Sequence, residues 1–157
     1  MSLKMKKKWS LGIAAFVLVS SLLALPATAA TPKTGAWGGG TAQGRTMKFG
    51  VKRSGERLII KRIVISSVRY TCRGPLGYVS YDVARGVKFS SYGGPTVVGR
   101  GGKFAIRPVP GPPPGYVEIF KGRFTSKHSA KGVLRFANSH SNTTCDSGRV
   151  SWHASLR

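Results

Sequence analysis

Residues 47–72 read MKFGVKRSGERLIIKRIVISSVRYTC. In this stretch Met47, Phe49 and Val51 alternate with Lys48, Gly50 and Lys52, the two-residue period of a strand with one apolar and one basic face. Arg53-Ser54-Gly55-Glu56 then supplies turn residues, and residues 57–72 form a second, longer β-prone segment. Within it Val64, Ser66, Val68, Tyr70 and Cys72 are expected on one side. A bend is expected near Ser66-Ser67, because an unbroken strand of that length would be unusual.

The same pattern continues outward. Residues 78–81 and 87–89 predict shorter strands separated by Arg85-Gly86, residues 90–102 a glycine-rich loop, and residues 103–107 a brief strand. Residues 108–115 hold five prolines and two glycines, so they are expected as an exposed extended loop outside any sheet. Residues 116–124, 132–137 and 148–155 supply the last three strands, and in the final one Val150, Trp152 and Ala154 alternate with Arg149, Ser151 and His153. No long 3.6-residue apolar period follows residue 30. About nine short strands punctuated by glycine and proline imply an all-β fold, an antiparallel β-sandwich or a small closed barrel.

The first thirty residues have a different grammar. Lys4, Lys6, Lys7 and Lys8 precede an apolar run over residues 11–25, and Pro26-Ala27-Thr28-Ala29-Ala30 closes it with small residues. That order is the mark of a secretory signal peptide over residues 1–30, with cleavage expected after Ala29 or Ala30. The apolar run is short of the ~20 residues needed to span a bilayer, although an uncleaved anchor is the alternative. Residues 31–157 then form a single exported domain without a transmembrane segment, secreted or associated with the cell envelope. Two cysteines remain, Cys72 and Cys145; an oxidising compartment would join them in one disulfide, and the alternative is a pair of buried free thiols.

Charge is the dominant property of the composition. The chain carries 26 Lys+Arg against 4 Asp+Glu, a net +22, and subtracting the four leader lysines leaves +18. The acids are Glu56, Asp82, Glu118 and Asp146. The basic residues occupy the polar half of the strand alternation, so Lys48, Lys52, Lys61, Arg69 and Arg149 are expected to stand outward as a polyanion-binding surface on the sheet. A lysine-rich exterior also discourages edge-to-edge association, so solubility accounts for part of the excess.

Three further stretches carry a likeness. GAWGGGTAQGRTMKFGV (35–51), GRFTSKHSAKGVLRF (122–136) and CDSGRVSWHASLR (145–157), with Cys72 after a long strand pair, resemble a pattern of small secreted β-rich proteins of unassigned function, many from high-GC Gram-positive bacteria. The likeness spans nearly all of residues 31–157. It implies an all-β domain with a Cys72–Cys145 bridge and no catalytic residue. The proline-rich 108–115 segment departs from the pattern. Gly35-Ala36-Trp37 is also similar to the G-x-W start of lipocalin-like barrels, with Trp37 read as a core plug rather than a ligand-binding residue.

Candidates for chemistry are sparse. His128 and His140 sit in polar, loop-like segments, and His153 faces opposite to Trp152 on its strand. With Asp82 and Asp146 they form no nucleophile motif, and Asp146-Ser147-Gly148 reads as a turn. His140, Cys145 and His153 are too few for a zinc site once Cys145 is bridged, so no metal and no cofactor is expected. Gly99-Arg100-Gly101-Gly102-Lys103 lacks the spacing of a phosphate-binding loop and reads as a hairpin connection. The resulting expectation is a non-enzymatic module. It would bind anionic polymers (cell wall, lipid headgroups or extracellular nucleic acid) or a protein partner. A calycin-like barrel holding a small ligand and a cryptic envelope hydrolase are the alternatives.

Overall fold

The computed structural model describes residues 31–77, 79–89, 95–106, 117–140 and 142–157. The expected leader (1–30) and the proline-rich segment (108–115) lie outside the described residues. The chain forms β1 (Gly35–Thr41), β2 (Thr46–Ser54), β3 (Arg57–Arg73), β4 (Val79–Phe89), β5 (Thr96–Val97), β6 (Lys103–Ala105), β7 (Val117–Phe124), β8 (Ser129–His140), β9 (Thr143–Asp146) and β10 (Val150–Leu156). Among the described residues the helical content is a single 3₁₀ turn at Arg100–Gly102.

The strands are hydrogen-bonded in the order β10-β1-β2-β3-β9-β8-β7-β6, and β10 also pairs with β8. That extra pairing closes a ring of β1, β2, β3, β9, β8 and β10, so the fold is a closed barrel and not a two-layer sandwich. β6 and β7 extend the sheet from β8, while β4 and β5 pair with β3 outside the main path. Every described pairing is antiparallel, consistent with short connections between successive strands.

The alternation read from residues 47–51 is present: Met47, Phe49 and Val51 are buried and Lys48 and Lys52 exposed. β3 is where the sequence expectation needs correction. It runs unbroken for 17 residues, and its alternation fails at the outset: Leu58, Ile59 and Ile60 are all buried, and Lys61 and Arg62 are both exposed. Arg62 takes a left-handed backbone (φ 51°), and the β2–β3 register slips by one residue between Lys48 and Gly50, so the extra residue is a β-bulge. Between Arg62 and Ser67 the buried residues are Ile63 and Ile65, with Val64 half-buried and Ser66 exposed. Ser67 and Val68 are both buried, and from there the even residues Val68, Tyr70 and Cys72 turn inward as expected. The two short strands expected around Arg85-Gly86 are one strand, β4, with Gly86 at φ 60° within it. The 90–102 segment is not wholly loop, since β5 pairs with Ile59 and Ile60. β9 was absent from the sequence reading.

The barrel is filled by rings. Trp37, Phe49, Phe89, Phe104, Phe120, Phe124 and Trp152 belong to one buried cluster with Met47, Ile65 and Leu134. Phe120 and Trp152 stack at 4.9 Å between centroids, and Trp37 meets Phe124 edge-on at 5.0 Å. Trp37 is the expected plug: it is 1% exposed, and its Nε1 donates to the Lys33 carbonyl at 3.3 Å. Trp152 lies against Gly122 and Gly132, where a Cβ would strike the indole ring. Gly132 is paired with Trp152 and Gly122 with Gly132, so the bare backbone of those two glycines lets the indole lie across the neighbouring strands of its own sheet.

Cys72 and Cys145 form a disulfide, as the pair of cysteines led one to expect. They stand directly opposite each other where β3 pairs with β9, and the bridge closes a loop with a sequence separation of 73. In the chain-entropy model a loop of that length is worth up to about 4 kcal/mol.

Candidate polyanion-binding face

The five cations singled out from the sequence are all exposed, and all lie on or beside strands. The register brings three of them together. Gly50 on β2 faces Lys61 on β3, and Lys52 faces Ile59 two positions along, so Lys48, Lys52 and Lys61 share the outer surface of the β2–β3 hairpin. Lys61 has its pKa lowered, chiefly by the charge of the neighbouring Lys52, with desolvation and the charge of Arg62 adding to it. A lowered ammonium pKa on an exposed side chain is the signature of like charges held close together.

Two cations that the sequence reading left out complete this cluster. Arg62 joins it through the bulge, and Arg157 folds back over Gly38 of β1, with its backbone N–H donating to the Ala36 carbonyl at 2.9 Å. Lys48, Lys61, Arg62 and Arg157 surround an open depression of about 440 Å³ whose floor is formed by Ala36, Phe49, Gly50 and Val64.

Arg69 and Arg149 do not belong to this cluster. Arg69 sits on the distal half of β3, where its backbone N–H and carbonyl are both held by the Gln43 side chain at 2.9 Å. Arg149 precedes β10. The other large group of cations was also missed: Lys103, Lys121, Arg123 and Lys131 are exposed on the outer face of β6, β7 and β8. The signal for them was present. Residues 125–128 form a tight connection, with the Thr125 N–H donating to the Ser129 carbonyl at 2.9 Å, and that turn places Arg123 opposite Lys131. A hairpin read at residues 122–132 would have exposed the pairing.

Negative charge does not balance these faces. Among the described residues the one ion pair is Arg135–Asp146, with Nε to Oδ1 at 3.0 Å, joining β8 to β9. That bond holds the Asp146 carboxyl below its ordinary range, helped by the Gly148 N–H, while partial burial opposes the shift. Glu56 is exposed at the β2–β3 turn. The side chains of Asp82 and Glu118 lie outside the described ones.

The histidines are separate. His128 is an exposed turn residue whose backbone N–H donates to Ser126 Oγ at 3.1 Å. His153 is exposed on β10, and the side chain of His140 lies outside the described ones. Among the described residues no three of His, Cys, Asp and Glu gather in a way that could hold a metal ion. Gly99-Arg100-Gly101-Gly102-Lys103 contains the 3₁₀ turn, closed by the Gly102 N–H donating to the Gly99 carbonyl at 3.2 Å, while the Gly99 N–H donates to the Lys103 carbonyl at 2.7 Å across its ends and Gly101 and Gly102 take left-handed conformations. The barrel interior, where a small apolar ligand would have to sit, is occupied by Phe49, Phe104, Phe120, Phe124 and Trp152.

Searches of protein-family models, curated proteins and solved structures match nothing to this chain. The functional reading therefore rests on the distribution of charge over the barrel. Among the described residues no helix is long and apolar enough to cross a membrane.

Proposed function

We propose that this chain is an exported, non-catalytic β-barrel domain that binds anionic polymers of the cell envelope through its basic outer sheet face. One observation carries the reading: cations lie side by side on adjacent strands with no acid interleaved, to the point that Lys52 lowers the pKa of Lys61. A fold shaped only for stability and solubility gains by alternating signs on neighbouring strands, because like charges set opposite each other repel. Retaining the repulsion is consistent with a ligand that removes it. The disulfide and the leader-like residues 1–30 support an oxidising, extracytoplasmic location.

The test is the salt dependence of binding. Multiple cation–phosphate contacts release counterions, so affinity for a purified anionic wall polymer should fall by several orders of magnitude between ~50 and ~200 mM salt. Binding indifferent to salt, or absence of binding to any polyanion at ~50 mM salt, would remove the proposal.

A further inference from the structure

The register of four strands places a line of cations straight across the sheet. Lys103 on β6 pairs with Arg123 on β7, Arg123 pairs with Lys131 on β8, and Lys131 pairs with His153 on β10. All four side chains are exposed, and the next partner is Gly40 on β1, which has no side chain to interrupt the line. With strands ~4.8 Å apart the row is about 14 Å long.

A groove runs beside it. One depression of about 630 Å³ is lined by Val97, Ala105, Lys121 and Val133 together with Lys103, Arg123 and Lys131. A second, of about 490 Å³, is lined by Thr41, Ala42, Ser151 and His153. The two share Lys131, Gly132 and Val133, so they join across β8 into one trough that crosses the strands alongside the cation row. Its floor is largely apolar, and Val97 at its edge is 39% exposed.

We infer that this trough is the polymer-binding site, and that its occupant is a slender linear phosphodiester chain with short polyol links, lying across β6, β7, β8 and β10. This rests on the polyanion reading above and gives it a place and a ligand class. The cation wall matches charges repeated along one line, and the apolar floor receives the carbon links between them, which inorganic polyphosphate lacks. A nucleic acid strand would need exposed aromatic faces for its bases. Among the described residues the tryptophans and all but one phenylalanine are buried, and the half-buried Tyr70 and Phe136 are turned toward each other at 5.4 Å. Phe104 and Trp152 reach the trough but are only 4% and 3% exposed, and Tyr70 and Phe136 do not line it.

The test compares two triple variants of equal charge. One is Lys103→Gln, Arg123→Gln and Lys131→Gln; the other removes exposed cations of β3 and β4 that belong to neither cluster, Arg73→Gln, Arg85→Gln and Lys88→Gln. Each is titrated with poly(glycerol phosphate) across a salt series. The row variant should lose at least ~10-fold in affinity at low salt, and its log–log salt slope should shrink by about 0.7–0.9 per residue removed. The β3–β4 variant should change less than ~3-fold. The row variant should also melt no lower than the parent, since opposed like charges are removed. If it melts lower, Arg123→Gln alone replaces it, with a proportionate loss expected. Equal losses in both variants would overturn the trough while leaving the polyanion reading intact. No binding by the parent chain would overturn the polyanion reading itself. Tighter binding of oligothymidylate, of inorganic polyphosphate or of phosphatidylglycerol vesicles at the same salt would overturn the assigned ligand class.

Discussion

The body of the barrel and the arm formed by the distal half of β3 with β4 and β9 are held together by different physics. In the body, seven aromatic rings pack with aliphatic side chains into one buried cluster. In the arm, Tyr70 and Cys72 on β3 and Cys145 and Asp146 on β9 are only half-buried. There the strands are joined by the Cys72–Cys145 bridge, the Arg135–Asp146 ion pair and the Tyr70–Phe136 ring contact. The arm's tip leaves Leu76 95% exposed. Where the rings pack, the closed sheet buries one face completely, whereas at the end where β3 reaches β9 to complete the ring there is little interior to fill and crosslinks hold the strands instead.

The largest effect should come from opening the body. Trp152→Ala removes the ring stacked on Phe120 and facing Phe49 and Phe104, and should cost about 3–5 kcal/mol of unfolding free energy in denaturant titrations. Trp152→Phe sharpens the comparison. Trp152 Nε1 is buried with no acceptor among the described residues, so exchanging the indole for phenyl loses area but also removes an unmet donor. The cost of Trp152→Phe should therefore be well under half that of Trp152→Ala. Equal costs would mean that the cluster does not depend on ring packing.

Next in size is the arm. Cys72→Ser with Cys145→Ser should lower stability by about 2–4 kcal/mol. Amide exchange should accelerate first in β9 and the distal half of β3, while the near-ultraviolet signal of the packed rings persists to the global transition. Loss of that signal together with the arm would show that body and arm unfold as one unit.

The same division separates what was legible in the sequence from what was not. Where strands line the barrel, one buried face imposes a strict two-residue period, so residues 47–51 and 150–154 could be read directly. Arg62 could not: a β-bulge is set by the register with a neighbouring strand, and no local pattern marks an arginine for a left-handed backbone. β9 escaped for a related reason. Thr143, Cys145 and Asp146 are half-buried and Thr144 exposed, which leaves no alternation to detect. For the candidate site, the outward Lys48 and Lys52 followed from alternation alone, whereas Lys61 shares its parity with the buried Ile63 and Ile65 and stands outward because the bulge at Arg62 shifts the phase. The row Lys103–Arg123–Lys131–His153 depends on three pairings between strands, which are long-range facts that a single strand's pattern does not carry.

The smallest effect is a matter of pH. Asp146 has its carboxyl pKa depressed below the ordinary 3.8, first by the hydrogen bond from Arg135 and also by the Gly148 N–H. A carboxyl with a depressed pKa in the folded chain stabilises it fully above the unfolded value, and that stabilisation is lost as pH falls through the folded one. The arm should therefore weaken only below about pH 4. Asp146→Asn should abolish this acid-dependent part while leaving stability at pH 7 slightly reduced, since both partners are more than a third exposed and solvent screens the pair. Melting curves of the parent and of Asp146→Asn between pH 2.5 and 7 would check it: the two should converge as the pH falls. Parallel curves would show that the arm is held by its disulfide and ring contact alone, and that the ion pair follows the geometry the bridge imposes.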